Sequence, residues 1–269
     1  MALQDRLQLQ PLVFEGGQAF VQSHGIEYLW DPQLQGGALD LEFGSDFERV
    51  ELDCVLSHLA AAPHQELVFI DIGGNCGLYS LNVARHFPGA HCYSFEPVPS
   101  TRALLTANVR RNGLADQVTI VSKALGDEEK MASMTASYSA MDHLIPGKAS
   151  DELSPLIIEV QLTTLDGFVG DHDLKRADFI KCDVEGAELL AFKGAQKTLE
   201  RFHPPILVEI EERHTTRCGY APSDLDEFLR SYDYVPWTAL AKGQSQKLTN
   251  LSDGIAQGYN NFLYLADVA

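Results

Sequence analysis

The stretch Val68-Phe69-Ile70-Asp71-Ile72-Gly73-Gly74-Asn75-Cys76-Gly77 reads as a buried strand running into a glycine turn. Val68 to Ile72 form a β-branched and aromatic run broken only by Asp71, the pattern of a central parallel strand covered on both faces. Gly73 and Gly74 permit a tight turn, and Gly77 lets backbone approach a ligand or the following helix. Leu78, Leu81, Val83 and Ala84 then carry an apolar stripe to His86 and Phe87, and Pro88-Gly89 ends the predicted helix.

Strand, glycine turn and helix together hold nucleotide-like ligands at the carboxyl edge of a sheet. The dinucleotide fingerprint is Gly-x-Gly-x-x-Gly, whereas this chain has Asp71-x-Gly73-x-x-x-Gly77. An Asp at the strand end repels a pyrophosphate and suits a cationic or amino-bearing ligand. S-adenosylmethionine has that character, with an ammonium, a sulfonium and no phosphate. Asp71, Gly73, Asn75 and Gly77 are the candidate contacts in this turn.

Outward from this turn, 269 residues with 45% hydrophobic content allow one sizeable domain with a modest extra segment. A net charge of -18, from 38 acidic and 20 basic residues, argues against nucleic acid or an anionic membrane as partner. No apolar stretch approaches a membrane span, and Met1 to Gln10 lacks the pattern of a secretory signal. Five cysteines without a C-x-x-C pair read as reduced thiols in a cytoplasmic protein.

Residues 1–65 read as a lead-in segment packing on the core, and 66–269 as the main domain. In the lead-in, Ala19 to Leu29 resembles a strand pair turning at His24-Gly25, and Asp46 to Ala61 has helical spacing. Phe43, Phe47 and Tyr28 are candidates for a substrate mouth, with core packing the competing reading. His91 to Phe95 forms the next strand, and Glu96 follows the glycine turn at the distance where an acid accepts hydrogen bonds from a ribose diol. Val118 to Val121 makes a third strand, after which Ala124 reaches the position of an adenine. Near 126–173 the pattern loosens into a β-hairpin-like insertion with arms Met131 to Leu144 and Ile157 to Leu165 around Pro146-Gly147.

A second informative stretch is Ala177-Asp178-Phe179-Ile180-Lys181-Cys182-Asp183-Val184-Glu185-Gly186-Ala187-Glu188. Its strand delivers Asp183 to the same edge as Asp71, and three acids, Asp183, Glu185 and Glu188, fall at a strand-to-helix junction where a helix amino terminus favours anions. Pro205 to Ile210 repeats the device, with Glu209, Glu211, Glu212 and His214 emerging at its end.

These pieces, with Phe95-Glu96-Pro97, Thr164-Leu165-Asp166 and Lys193-Gly194-Ala195, occur in the order of the FkbM family of S-adenosylmethionine-dependent methyltransferases, which the chain resembles from about Val68 to Tyr234. It departs at Gly74, commonly Ala there, and at Cys182, commonly Ile. The resemblance implies a class I, Rossmann-like α/β fold: a seven-stranded sheet with the last strand antiparallel and helices on both faces. It also implies O-methylation of a hydroxyl on a sugar or secondary metabolite. Tyr234 to Trp237 and Asn261 to Leu265 would supply the closing strands.

An alcohol needs a base as its new bond forms, and a carboxylate or neutral histidine is the ordinary candidate. Asp183 ranks first, then His214, then Glu185, with Glu209 orienting the acting group; Asp183 also adjoins the cofactor. Asp183, Glu185 and Glu209 could instead ligate Mg²⁺ or Ca²⁺, but carboxylates hydrogen-bonded to substrate need no ion, and no metal is expected. A non-catalytic S-adenosylmethionine-binding protein is the main alternative. A nicotinamide-dependent oxidoreductase would leave the acids after Cys182 unexplained. The acceptor's identity and the oligomeric state have no readable code.

Overall fold

The computed structural model of the protein describes residues 12–15, 18–30, 48–63, 65–136, 142–145 and 156–267. Strands β1 (Leu12–Glu15), β2 (Gln18–Ser23) and β3 (Ile26–Trp30) form a small antiparallel sheet. His24 and Gly25 join β2 to β3 with φ of 53° and 78°, the paired positive dihedrals that match a hairpin's turn to the strand twist. Helix α1 (Arg49–Ala60) follows and buries Leu52, Cys54, Val55 and Leu59.

The chain then alternates through β4 (Val68–Ile72), α2 (Leu78–His86), β5 (His91–Phe95), α3 (Pro99–Arg111) and β6 (Val118–Val121). β4, β5 and β6 pair in parallel. Next come β7 (Ala124–Leu125), β8 (Met131–Thr135) and β9 (Ile157–Thr163), a second small sheet in which β8 lies antiparallel to β9 with Met131 opposite Gln161. The remaining elements are α4 (Leu165–Asp171), β10 (Phe179–Cys182), α5 (Glu188–Lys193), α6 (Gln196–Phe202), β11 (Ile206–Glu209), α7 (Glu212–Arg217), α8 (Pro222–Arg230), β12 (Tyr234–Leu240), β13 (Gln244–Lys247), α9 (Leu251–Ala256) and β14 (Asn261–Ala266).

The main sheet has the order β13-β12-β14-β11-β10-β4-β5-β6. β14 runs antiparallel to both β11 and β12, so the last strand in the chain is reversed, as the resemblance implied. Among the described residues the sheet has eight strands where seven were expected. The additional one, β13, pairs antiparallel with β12 at the sheet edge, and its sequence Gln-Ser-Gln-Lys has no apolar alternation to announce it.

β4 sits near the middle, and its side chains alternate between two cores. Phe69 joins the cluster containing Leu52, Leu81 and Leu105, whereas Ile70 and Ile72 join that containing Phe168, Phe192 and Leu225. This two-sided burial is why Val68 to Ile72 reads as a nearly continuous apolar run. The small N-terminal sheet is tied to α3 by polar contacts: Leu29 N donates to Asn108 Oδ1 at 2.7 Å and Glu27 N to Asn112 Oδ1 at 3.0 Å. Tyr28 is fully buried and its hydroxyl accepts from Asn82 Nδ2, which makes it a core residue. Phe43, Phe47, Pro146 and Gly147 lie outside the described residues. Among the described residues no helix is long and apolar enough to cross a membrane.

Candidate functional site

β4, β5, β10 and β11 end on one edge of the sheet, where a cleft of about 660 Å³ opens. Among the described residues its lining carries eight carboxylates against two cationic side chains, Lys181 and Arg213. Such a surface favours ligands with positive charge or hydroxyl donors over phosphates.

The glycine turn forms one side. Gly73 has φ of 85°, and a Cβ there would sit 1.9 Å from the Asp183 carbonyl oxygen, so only glycine lets β4 and β10 exit side by side. Gly73 N and Gly74 N both donate to Phe95 O, fastening the turn to β5. Asp71 is 1% exposed. Its Oδ2 accepts from Ser80 Oγ at 2.6 Å and Ser80 N at 3.3 Å, while its Oδ1 is buried at the cleft with no hydrogen-bond partner. Burial pushes the Asp71 carboxyl up, and Lys181 opposes that shift. Asn75, at φ 45°, likewise leaves its buried Oδ1 without a partner.

Glu96 is reached from the next strand. Its two oxygens accept from Val98 N at 2.9 Å and Asn75 N at 3.1 Å, and burial lifts its pKa to about 7 against those hydrogen bonds. Ala124 lines the cleft beyond it. Gly77 does not line the cleft; a Cβ there would strike Leu81 Cδ1 at 2.2 Å and Leu105 Cδ1 at 2.7 Å, so its job in the fold is close packing of α2 on α3.

The second side is built on β10 and β11. Lys181 stands opposite Asp71 in the sheet register and, two residues on, faces Asp183, with Nζ 2.9 Å from Asp183 Oδ2. Its ammonium also lies 5.1 Å over the Tyr79 ring. Burial alone would lower the Lys181 pKa, but Asp183, Glu48 and Asp71 together hold it above the ordinary lysine value. For Asp183 burial works upward, yet the Lys181 ammonium and a hydrogen bond from Glu209 outweigh it and keep the carboxyl below its usual range. Glu209 is raised to about 10, first by burial and then by the charges of Asp183 and Glu185. The two carboxyls therefore titrate as a coupled pair, with negative charge favoured on Asp183.

Glu185 also lines the cleft, raised to about 8 by burial and by Asp183. His214 is 4% exposed and lies behind these acids, outside the cleft lining; its Nδ1 is 2.9 Å from Glu185 Oε2 and 4.0 Å from Glu209 Oε2. Burial lowers its pKa, which favours the neutral ring. One donor atom from each of Glu185, Glu209 and His214 falls within 4.8 Å of the others. This is a mixed set in which His214 stands where sequence reasoning had placed Asp183. Glu188, the third acid of the loop, is occupied structurally: it accepts from Val184 N, Gly186 N and Tyr220 OH.

Lys181 is the buried cleft side chain that sequence reasoning passed over. A lysine inside an apolar strand, in Phe179-Ile180-Lys181-Cys182, was the available signal, because a buried ammonium demands partners. Asp142, on the hairpin segment, also lines the cleft, and Thr135 Oγ1 donates to it.

The FkbM methyltransferase domain family model matches residues 71–236. The chain is 28% identical over 151 residues to Methyltransferase 1 of Beauveria bassiana (strain ARSEF 2860), covering 49% of this chain and 60% of that protein. It is 28% identical over 155 residues to Methyltransferase sdnD of Sordaria araneosa, covering 48% and 60%. Over 222 residues it is 23% identical to AMB antimetabolite synthetase AmbE of Pseudomonas aeruginosa, covering 70% of this chain and 10% of that protein. The chain thus spans about three fifths of the two fungal relatives and a tenth of the synthetase. Among solved structures, Methyltransferase FkbM from Methylobacillus flagellatus KT superposes with a TM-score of 0.51 over 87% of this chain and 56% of that one. At 15% identity that likeness concerns the fold.

Proposed function

The chain belongs to the FkbM family of methyltransferases, and on that premise we propose that it is an S-adenosylmethionine-dependent O-methyltransferase acting on a hydroxyl of a sugar or secondary metabolite. The observation that carries this reading is the placement of Asp71, with a free buried oxygen, directly across the sheet from Lys181 and its partner Asp183.

S-adenosylmethionine fits the residues present: it would bring an ammonium to Asp71 Oδ1 and a ribose diol to Glu96, with Asn75 and Ala124 alongside. When bound, it supplies an electrophilic methyl group on a sulfonium centre. The rest is done by the chain. Asp183 receives the acceptor's hydroxyl proton as the oxygen begins to bond, on an oxygen other than the Lys181-bound Oδ2. Lys181 keeps that carboxylate ionised and oriented. Glu185 orients the acceptor by accepting from a neighbouring hydroxyl. General-base assistance of this kind contributes roughly 10²- to 10⁴-fold. The five free cysteines suit a reducing, cytoplasmic setting.

The test is calorimetric titration with S-adenosylhomocysteine, with NAD as control, on the wild-type chain, Asp71→Ala and Asp183→Asn, followed by a screen of hydroxylated acceptors with S-adenosylmethionine. Binding that collapses in Asp71→Ala and survives in Asp183→Asn, together with turnover lost in Asp183→Asn, supports the assignment. Preference for NAD, or no binding, overturns it. Tight binding without turnover on any acceptor favours a non-catalytic binder.

A further inference from the structure

Three donors carried by three separate elements converge at the Asp183 end of the cleft. Glu185 lies in the loop after β10 and is held at a left-handed φ of 57°; Glu209 ends β11; His214 projects from α7 and is buried. Glu185 Oε2 is a buried oxygen with no hydrogen-bond partner, although His214 Nδ1 stands 2.9 Å from it, because the ring nitrogen is out of line for a hydrogen bond. Among the described residues the His214 ring makes no hydrogen bond, and it is aimed into the set. An ion held at about 2.1 Å from each donor places neighbouring donors roughly 3.0 Å apart and opposite ones about 4.2 Å apart. The 2.9 Å and 4.0 Å separations of Nδ1 from Glu185 Oε2 and Glu209 Oε2 fall close to those values.

We propose that Glu185, Glu209 and His214 bind one divalent cation. One imidazole with two carboxylates is a nitrogen and oxygen set that suits a first-row ion such as Mn²⁺ better than Ca²⁺, which takes oxygen throughout. The surroundings have the form of a supporting layer: His214 Nε2 faces Glu211 Oε2 at 3.7 Å, and Glu209 Oε1 accepts from Asn260 Nδ2 at 3.3 Å. Glu211 is thus the nearest carboxylate to the outer ring nitrogen, at a distance just beyond a hydrogen bond. Glu185 and Glu209 line the cleft, so an ion held by them would be accessible from it. A cation there would lower the pKa of an acceptor hydroxyl; that use rests on the methyl-transfer reading, whereas the site itself does not.

The experiment strips the full chain with a chelator, adds Mn²⁺, and follows free ion by electron paramagnetic resonance. One ion per chain is expected, at least tenfold weaker in His214→Ala and lost in Glu185→Gln/Glu209→Gln, with circular dichroism confirming that the variants fold. Pulsed resonance on the loaded wild type should show nitrogen coupling from one imidazole, a readout that holds even if a variant misfolds. No stoichiometric binding by the wild type, bound Mn²⁺ without nitrogen coupling, or unchanged binding in both folded variants overturns the site. Mn²⁺ binding in a chain that takes no S-adenosylhomocysteine supports the site while overturning the methyl-transfer reading.

Discussion

Lys181 and Asp183 leave the same strand two residues apart, and their side chains meet at 2.9 Å because alternate residues of a strand share a face. Asp71 stands opposite Lys181 in the register, so one ammonium serves the carboxylates on both sides of the cleft floor.

Lys181→Met keeps the length of the side chain and removes the charge. Asp71, Asp183 and Glu48 then lose their shared cation, and breaking a buried pair in this way costs about 3 kcal/mol. Thermal unfolding should show the loss. Any methyl transfer should fall by at least tenfold, with the rate's dependence on pH displaced upward as the Asp183 carboxyl rises. An unchanged pH profile would contradict the role given to Lys181.

Glu96 provides a pH dependence with a definite sign. Its carboxyl is raised from 4.5 to about 7 in the folded chain, so between those values the folded protein holds a proton that the unfolded chain has released. Its contribution therefore favours folding at low pH and is lost as pH rises from about 4.5 to about 7, staying flat above. Glu96→Gln removes this dependence. Urea unfolding should show the variant gaining on the wild type by about 3 kcal/mol between pH 4.5 and pH 8, while its affinity for S-adenosylhomocysteine falls.

Gly74 and Ser94 form a pair that a double-mutant cycle can resolve. A Cβ at Gly74 would sit 1.9 Å from Ser94 Oγ, itself buried without a hydrogen-bond partner. Gly74→Ala should destabilise by about 1–3 kcal/mol, and Ser94→Ala alone should be nearly neutral. The double variant should recover most of the loss, giving a coupling of about 1–2 kcal/mol in chemical denaturation. Additive effects would show that the hydroxyl is not the obstacle.

Glu188→Ala strips acceptors from Val184 N, Gly186 N and Tyr220 OH in one step. A loss of about 3 kcal/mol follows from leaving buried donors unpaired, equivalent to a melting point lower by roughly 6–12 °C. Tyr220→Phe removes one of those bonds and should cost about 1 kcal/mol. Equal effects from the two substitutions would argue against this role for Glu188.

How much of this could be read beforehand depended on whether a residue's meaning is local. Val68 to Ile72 declared a central strand because both faces are buried, and Asp183 and Glu209 declared strand tips because each follows an apolar run. β13 could not be read, since Gln244 to Lys247 is held by backbone pairing to β12 at the sheet edge. Lys181 was passed over because its importance comes from alignment with Asp71 in a neighbouring strand that is distant in the sequence. His214 could be named, but its burial behind Glu185 follows from how α7 packs over Gly186, whose Cβ would meet His214 O at 2.5 Å. Gly77 looked like a ligand contact because close approach to a helix and to a ligand demand the same residue.

The strand order also divides the cleft into two separable halves. β4, the turn after it and the end of β5 carry Asp71, Asn75 and Glu96, while the ends of β10 and β11 on the other flank carry Asp183, Glu185 and Glu209. On the proposed assignment, changes at the β10 and β11 tips would alter the groups that meet the acceptor without disturbing the turn assigned to the methyl donor. The two halves can therefore be altered separately by substitution, with Lys181, which faces both Asp71 and Asp183, coupling them.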